Sequence, residues 1–283
     1  MMILDWNGLT VGTIVSQKLD LDEDMIRHVV LNQLRMYNHK FRNEYGQMVI
    51  ACEGRSWRKN VFPNYKASRK KTRDDNADHW EEVFRIINMI REEIENNLPY
   101  KVVQVDDAEA DDIIGTLVEM TQEFGKHEPV MIISNDKDFL QLQKYSNVRQ
   151  FSPMKKKLIE EKNPHLFLQE HIIKGDSGDG IPNILSSDDV FITDGERQTP
   201  VRQKFVDEVI ADLDDGELLY AASWYRNYQR NKQLIDLSET PDAIKQNIIN
   251  TYNETKVAHR SKLLNYLIAK RCKLLIESIE EFY

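Results

Sequence analysis

Short apolar runs recur along the first half of the chain, and each ends at or near an acid. "MMILD" (1–5) stops at Asp5, "QMVIAC" (47–52) is followed by Glu53, and "KVVQV" (101–105) is followed within a few residues by Glu109, Asp111 and Asp112. "PVMIIS" (129–134) leads into Asp136 and Asp138. Runs of this length, apolar at successive positions, read as strands buried on both faces, the pattern of a parallel sheet. Stretches of helical period lie between them. "LDEDMIRHVVLNQLRMYNHKF" (21–41) carries Met25, Val29, Leu31, Leu34 and Met36 near helical spacing. "DHWEEVFRIINMIREEI" (78–94) places Trp80, Phe84, Ile87, Ile90 or Arg91, and Ile94 near one face, with Asp78 and Glu81 spaced as a variant capping box. "DDIIGTLVEMTQEFG" (111–125) reads as a third helix with Gly125 as its C-cap, and "NVRQF" (147–151) as a fifth strand. Strand and helix alternating in this way imply an α/β fold, a mostly parallel sheet flanked by crossover helices.

The texture changes after about residue 160. "HLFLQEHIIKGDSGDGIPN" predicts a helix and then a tight Gly-rich turn, "SSDDVFITDGERQTP" (186–200) an exposed loop, and the remainder helices interrupted by Pro241. The expected division is an α/β core over 1–160 and a helical part over 161–283. A chain of 283 residues suffices for either one large domain or two smaller ones. Two cysteines, Cys52 and Cys272, make no disulfide framework and suit a reducing cytosol. The start carries no basic segment with an apolar run behind it, and no stretch nears the roughly 18 apolar residues of a spanning helix, so neither a signal peptide nor a membrane span is expected.

In an open parallel sheet, ligands bind beyond the carboxyl ends of the strands. If these strands are neighbours, Asp5, Glu53, Glu109, Asp111, Asp112, Asp136 and Asp138 converge there, with Asp176 and Asp179 in the Gly-rich turn further along. Clustered carboxylates repel and need positive charge between them. Hard divalent cations held by oxygen, Mg²⁺ above all, supply it, and two ions roughly 3.5–4 Å apart would serve phosphoryl transfer. Scattered histidines and two distant cysteines do not give zinc spacing. Each acid taken alone has an ordinary explanation as a helix cap or a solvated turn. An acid at every successive strand end is what favours the metal cluster.

Net charge is −9, which alone argues against a polyanionic partner. The average conceals "RSWRKNVFPNYKASRKKTR" (55–73), with eight cations and no acid in nineteen residues and Trp57, Phe62 and Tyr65 interleaved. Cations there would neutralise phosphates, and the aromatics would stack on unpaired bases. A solvated basic loop is the competing explanation. The short run Lys155, Lys156 and Lys157 is read as a solvated turn.

Together these motifs resemble the 5′-nucleases of the flap endonuclease superfamily, including its phage members. Asp5, "EADD", "SNDKDF" and "KGDSGDGIP" stand in that family's order and approximate spacing over nearly the whole chain, and "FPNYKASRK" is similar to its basic arch. The resemblance implies a Mg²⁺-dependent 5′→3′ nuclease, Mn²⁺ substituting, that acts on RNA–DNA hybrids, duplex 5′ ends and 5′ flaps to remove replication primers. By the same matching, Asp5, Asp111, Asp136 and Lys66 are catalytic. Asp5, Glu53, Asp111 and Asp136 hold or neighbour a first metal, and Glu109, Asp112, Asp138, Asp176 and Asp179 serve a second, mostly through water. Arg58, Tyr65, Lys66, Arg69 and Lys70 contact substrate. Gly175, Gly178 and Gly180 belong to a helix–hairpin–helix-type turn at 174–183 that grips duplex backbone around a monovalent cation. A monomer in the cytosol, working with a phage single-stranded DNA-binding protein, is the implied setting. Two departures stand out. Glu53 replaces the family's usual Asp, and in "GDGIPN" the Asn follows where it usually leads; Asn183 can adopt a left-handed conformation more readily than most residues, so the turn is expected to survive. Glu53 keeps open a second reading, a weak or inactive relative that binds branched DNA. A small-molecule α/β phosphatase would need neither the basic segment nor the turn.

Overall fold

The computed structural model describes residues 1–69, 76–215 and 222–283. Lys70 therefore lies outside the described residues, with the rest of 70–75 and 216–221. The chain forms two compact units, one of residues 1–55, 78–160 and 242–283, the other of 56–77 and 161–241.

The first unit is built on a six-stranded sheet. Its strands are β1 (Met2–Asp5), β2 (Met48–Cys52), β3 (Lys101–Gln104), β4 (Val130–Ile133), β5 (Val148–Ser152) and β6 (Lys157–Ile159). The order is β3-β2-β1-β4-β5-β6, parallel throughout except for β6, which runs antiparallel to β5. Chain order reverses around β1, whose neighbours are β2 and β4. The crevice at such a switch point is where open α/β sheets bind ligands. The residues of β1, β2 and β4 are buried on both faces, as their unbroken apolar runs require. Met2, Leu4, Met48, Ile50, Met131 and Ile133 pack with Leu34, Phe41, Ile87 and Ile90 of the helices α2 (Glu23–Tyr45) and α4 (Ala77–Asn97). The intervening Ile3, Val49, Val103 and Ile132 alternate to the other face, where α5 (Ala110–Gln122) contacts β1 to β4.

The sequence missed α1 (Trp6–Gln17), because Gly8, Gly12, two threonines and two valines within it lower its intrinsic propensity. Packing of Trp6, Leu9 and Ile14 into the core decides the outcome. In α2 the buried face is Ile26, Val30, Leu31, Leu34, Tyr37 and Phe41, while Met25 and Met36 are exposed. In α4 Ile90, not Arg91, joins the core, and Asp78 sits inside the first turn rather than at the cap. Gly125 closes a 3₁₀ turn (Glu123–Gly125) that follows α5, with φ at +74°. Of the short basic run, Lys155 and Lys156 occupy a turn and Lys157 opens the edge strand β6.

The C-terminal segment departs from the expected division. Residues 242–283, the helices α9 (Asp242–Glu254), α10 (Ser261–Ala269) and α11 (Lys273–Ile276), belong to the sheet unit. Leu263, Tyr266, Leu267, Leu275 and Phe282 are buried in the same core as α2 and α4, and α9 packs on α5 and β3. The burial of these apolar side chains, worth about 1.5–3 kcal/mol each when complete, ties the last helices to the sheet.

The second unit consists of α3 (Arg58–Val61), α6 (Pro164–Lys174), α7 (Gln203–Asp215) and α8 (Tyr225–Ile235), around a core of Phe62, Tyr65, Ile172, Ile173, Ile184, Val206 and Leu234. Segment 186–200 forms neither helix nor strand, as expected, yet Ser186 and Val190 are buried within it.

Candidate active site

Parallel register places the ends of β1, β2 and β4 side by side. Asp5 lies opposite Ala51, and Leu4 opposite Ile133, one residue before Ser134. Asp5 caps α1. One of its carboxylate oxygens accepts from Gly8 N–H at 2.8 Å, and the other accepts from the Ser134 hydroxyl at 2.8 Å. Gly8 is required by this approach, since a Cβ there would fall 2.1 Å from Asp5 Oδ2. Ser134 Oγ in turn accepts from Asp136 N–H at 3.1 Å, and Asp136 Oδ1 accepts from Asp138 N–H at 2.9 Å. Gln150 on β5, fully buried, donates to the carbonyls of Ser134 and Asp136 at 3.1 and 2.6 Å. These bonds fix the loop after β4 to the end of β1. The sequence reading assigned no role to Gly8, Ser134 or Gln150. Their signals are a glycine at the third position of a helix capped by Asp5, the first residue of "SNDKDF", and an amide at an inward position of an apolar strand.

The acids of "EADD" divide their work. Glu109 is the N-cap of α5 and forms a capping box with Asp112. Glu109 N–H donates to Asp112 Oδ2 at 2.9 Å, and the Glu109 carboxylate accepts from Asp112 N–H. Both are buried, Asp112 entirely, and the N-terminal end of the helix favours their charge. Asp111, only half-buried, faces the other way. Its carboxylate oxygen, one from Asp136 and one from Asp138 all lie within 4.8 Å of one another. Asp5, Glu53, Glu109 and Asp112 fall outside this triad. Glu53 Oε2 accepts from Ala110 N–H at 3.3 Å, so its longer side chain reaches the start of α5. Cys52 beside it is no nucleophile, because burial pushes its thiol far up from the ordinary range.

Three carboxylates this close could hold a cation between them. All donors of the triad are oxygens, which suits a hard divalent ion rather than a soft one. The half-exposed acids can also exchange ligands with solvent, as a reacting site needs.

In the helical unit, the basic segment has a buried side and an open side. Arg58 is 2% exposed, donates from Nε to Leu234 O at 2.8 Å and stacks on Trp57. Tyr65 is 2% exposed, its ring in the core with Phe62 and its hydroxyl donating to Asp179 Oδ2 at 3.0 Å. The expectation that Arg58 and the interleaved aromatics meet substrate is therefore corrected: their apolar surface anchors the segment in the helical core. Lys66 and Arg69 are partly exposed and lie against the Gly-rich turn. Lys66 N–H donates to Asp179 O at 2.7 Å, Lys66 Nζ lies 3.6 Å from Asp179 Oδ2, and Arg69 pairs with Asp179 and donates to Gly178 O at 3.1 Å.

The turn itself starts where α6 ends. Gly175, at φ +69°, has no room for a side chain, since a Cβ would meet Ile181 O at 2.5 Å. Asp176 accepts from Gly178 N–H at 2.8 Å and contacts His171 Nε2 at 3.0 Å, and Gly180 N–H donates to Ser177 O at 3.2 Å. Asn183 does not take the left-handed conformation. It is buried, donates to Thr199 O at 2.9 Å and accepts from Leu185 N–H and Ser186 Oγ, and the positive φ of the turn is carried by Gly175 and Gly180. From α8, Asn231 donates to Ile172 O and Pro182 O, both at 2.8 Å, and Arg230 donates to Pro182 O at 3.0 Å.

An open parallel sheet with carboxylates gathered at its switch point is the frame of a phosphodiester-cleaving enzyme, and family models define the class. Residues 15–171 match the 5′-3′ exonuclease N-terminal resolvase-like domain, and residues 163–282 match the C-terminal domain of T4 RNase H. The chain belongs to the 5′-3′ exonuclease family and is a nuclease. It is 31% identical to the ribonuclease H of enterobacteria phage T4 over 99% of this chain and 95% of that protein. A 5′-3′ exonuclease of Buchnera aphidicola is also 31% identical, over 52% of this chain and 50% of that protein. Among solved structures, the T5 5′-exonuclease with bound zinc superposes with a TM-score of 0.66 at 17% identity, covering 90% of this chain and 98% of that one. A complex of the T5 D15 flap endonuclease with DNA and metal ions gives 0.60 at 16% identity, covering 89% and 99%. At that identity the structures show a shared fold. Among the described residues no helix is long and apolar enough to cross a membrane.

Proposed function

We propose that the chain is a Mg²⁺-dependent 5′→3′ nuclease that acts on RNA–DNA hybrids, duplex DNA 5′ ends and 5′ flaps, and so removes replication primers. The observation that carries this reading is the Asp111–Asp136–Asp138 triad at the carboxyl edge of the sheet, with Asp5 clamped between Gly8 and Ser134 beside it. These four acids, with Glu53 near the start of α5, would hold Mg²⁺, or Mn²⁺ in its place. Two such ions, when bound, supply the Lewis acidity for in-line displacement at a phosphodiester.

The chain's own residues do the rest. Ser134 and Gln150 keep Asp5 and the loop after β4 in one geometry, which preserves the site between turnovers. Glu109 and Asp112 cap α5 and so fix the direction in which Asp111 points. Lys66 and Arg69 offset phosphate charge and hold the nucleic-acid backbone. Hydrolysis by water leaves a 5′-phosphate on the new end and requires no side-chain nucleophile. A monovalent cation at the 175–182 turn would be held by main-chain carbonyls, several of which accept one hydrogen bond and keep a second lone pair. The same reading implies a monomer in the cytosol with a single-stranded DNA-binding protein as replication partner.

The test is a 5′-labelled flap and an RNA–DNA hybrid, each with Mg²⁺ or EDTA. Mg²⁺-dependent release of 5′ products, lost in Asp136→Asn while binding persists, is the expected result. Binding without cleavage would instead support the inactive relative. Glu53, bonded to Ala110 N–H, is the observation behind that second reading, and Glu53→Asp restoring cleavage would favour it.

A further inference from the structure

At the end of the sheet opposite the acids, the first unit holds a cavity of about 670 Å³. Gln47 and Tyr100 line it one residue before β2 and β3 begin, so the length of β2, five residues at about 3.3 Å each, separates it from Glu53. Its size falls within the about 300–1,000 Å³ of small-molecule sites. In a chain of net charge −9, its lining carries Arg42, His259 and Arg260 and no acidic side chain. All three cations or potential cations are exposed, and Arg42 makes no ion pair among the described residues. His259 Nδ1 contacts Ser261 Oγ at 2.9 Å, which leaves Nε2 for another partner. Gln47 donates to Pro99 O at 3.1 Å and keeps its amide oxygen. Aromatic surface completes the lining. The Tyr283 hydroxyl donates to Arg260 O at 2.9 Å, and the Arg260 guanidinium lies 4.5 Å from the centre of the Tyr283 ring. Tyr100 is 2% exposed, and its hydroxyl is buried without a hydrogen-bond partner. A buried hydroxyl is costly to leave unpaired, and a ligand's polar atom in the cavity would pair it.

We propose that this cavity is a second binding site, for a nucleoside monophosphate. Arg42 and Arg260 would receive the phosphate, because a guanidinium fork matches phosphate oxygens in pairs. His259 Nε2 would add a third donor. Tyr283, half-buried, offers the base a stacking face, as aromatic side chains do whatever the base. The Tyr100 hydroxyl and the Gln47 amide oxygen offer polar partners to base or sugar. A bare phosphate ion would use the cations and leave the aromatic part of the cavity unfilled. The site goes beyond the nuclease reading and rests on it only for supply, since hydrolysis at a 5′ end releases such monophosphates. Its place at the amino ends of β2 and β3 keeps its occupant away from the strand-end acids, so the occupant is not a substrate held for cleavage there.

The experiment is calorimetric titration of 5′-AMP in EDTA into the wild type, Arg42→Gln/Arg260→Gln, Tyr100→Phe and Lys66→Ala/Arg69→Ala. EDTA keeps divalent ions off the strand-end acids. The wild type is expected to bind one equivalent with a Kd below about 1 mM. Arg42→Gln/Arg260→Gln is expected to bind at least about tenfold more weakly, with flap cleavage and thermal midpoint like those of the wild type. Tyr100→Phe is expected to weaken binding about three- to fivefold. Lys66→Ala/Arg69→Ala is expected to bind 5′-AMP as the wild type does. Inorganic phosphate and adenosine, titrated separately, are each expected to bind at least about tenfold more weakly than 5′-AMP. No binding by the wild type, equal affinity in Arg42→Gln/Arg260→Gln, or loss confined to Lys66→Ala/Arg69→Ala overturns the proposal. Inorganic phosphate binding as tightly as 5′-AMP overturns the assignment to a nucleotide. Flap cleavage with Mg²⁺ in the same preparations keeps the two readings apart. A wild type that binds 5′-AMP through Arg42 and Arg260 yet cuts nothing counts against the nuclease reading and supports this site.

Discussion

The strand-end acids and the acids of the helical unit are held by different partners. Backbone N–H groups of Gly8 and Asp138 and the hydroxyl of Ser134 hold Asp5 and Asp136. Cations of the chain hold the others. Asp179 has Lys66 and Arg69, and Asp188 has Arg226 at 2.5 Å and also Arg230. Hydrogen bonding from Arg226, working against burial, holds Asp188 below the ordinary carboxylate range. Neutral donors position a carboxylate without cancelling its charge, and the three acids of the cluster could hold a cation between them. A carboxylate paired with its own arginines has its charge met already. The difference separates a cluster that could hold a cation from an internal clasp.

The largest expected effects fall on the acids of the triad. Asp111→Asn and Asp136→Asn should each lower cleavage of a 5′ flap by about 10³-fold, a loss of several kcal/mol of charge stabilisation, while leaving the thermal midpoint near that of the wild type. Unchanged cleavage would break the comparison. Gly8→Ala should reduce cleavage at least tenfold by displacing Asp5, whereas Gly12→Ala, four residues along α1 with open space around its Cβ, should leave cleavage intact and stabilise by about 0.5–1 kcal/mol. In the helical unit the loss should appear in stability. Asn231→Ala leaves the Ile172 carbonyl without its Asn231 donor and should cost about 1–3 kcal/mol in denaturant unfolding, with metal affinity unchanged.

A smaller effect concerns pH. Burial would raise the Glu93 carboxyl, but hydrogen bonds from Arg27, Lys270 and Tyr266 outweigh it and leave it lowered from 4.5. A lowered acid contributes stability above its unfolded pKa and loses it as pH falls through the folded value. Glu93→Gln should therefore be less stable than wild type at neutral pH and show a shallower decline below about pH 4.5, read from melting temperatures across that range. Parallel decline in both proteins would remove Glu93 from the account.

Much of this was legible in the sequence because strands buried on both faces write unbroken apolar runs, and acids at their ends stand out against them. The strands β1 to β4 follow from such runs, while β5, the helices α2, α4 and α5 and the Gly-rich turn were legible from alternation, helical period and clustered glycines. What escaped had a competing signal. In α1, Gly8 and Gly12 lowered helix propensity, and one of those glycines is there to clear Asp5. The aromatics of the basic segment looked like a stacking surface because one-dimensional spacing does not show which side of a short helix turns inward, and Trp57, Phe62 and Tyr65 turn inward. The acids of "EADD" looked equivalent, yet Glu109 and Asp112 close a capping box and Asp111 alone of the three joins the triad. Helices α9 to α11 read as part of a helical half because sequence order hides long-range packing.

The central claim is that the strand-end carboxylates form a divalent-cation site. Titration of Mn²⁺ into the protein by calorimetry, for wild type and Asp111→Asn, tests it without substrate. The account predicts at least a tenfold weaker first binding event in Asp111→Asn, or its disappearance. Equal affinity in the two proteins would contradict it.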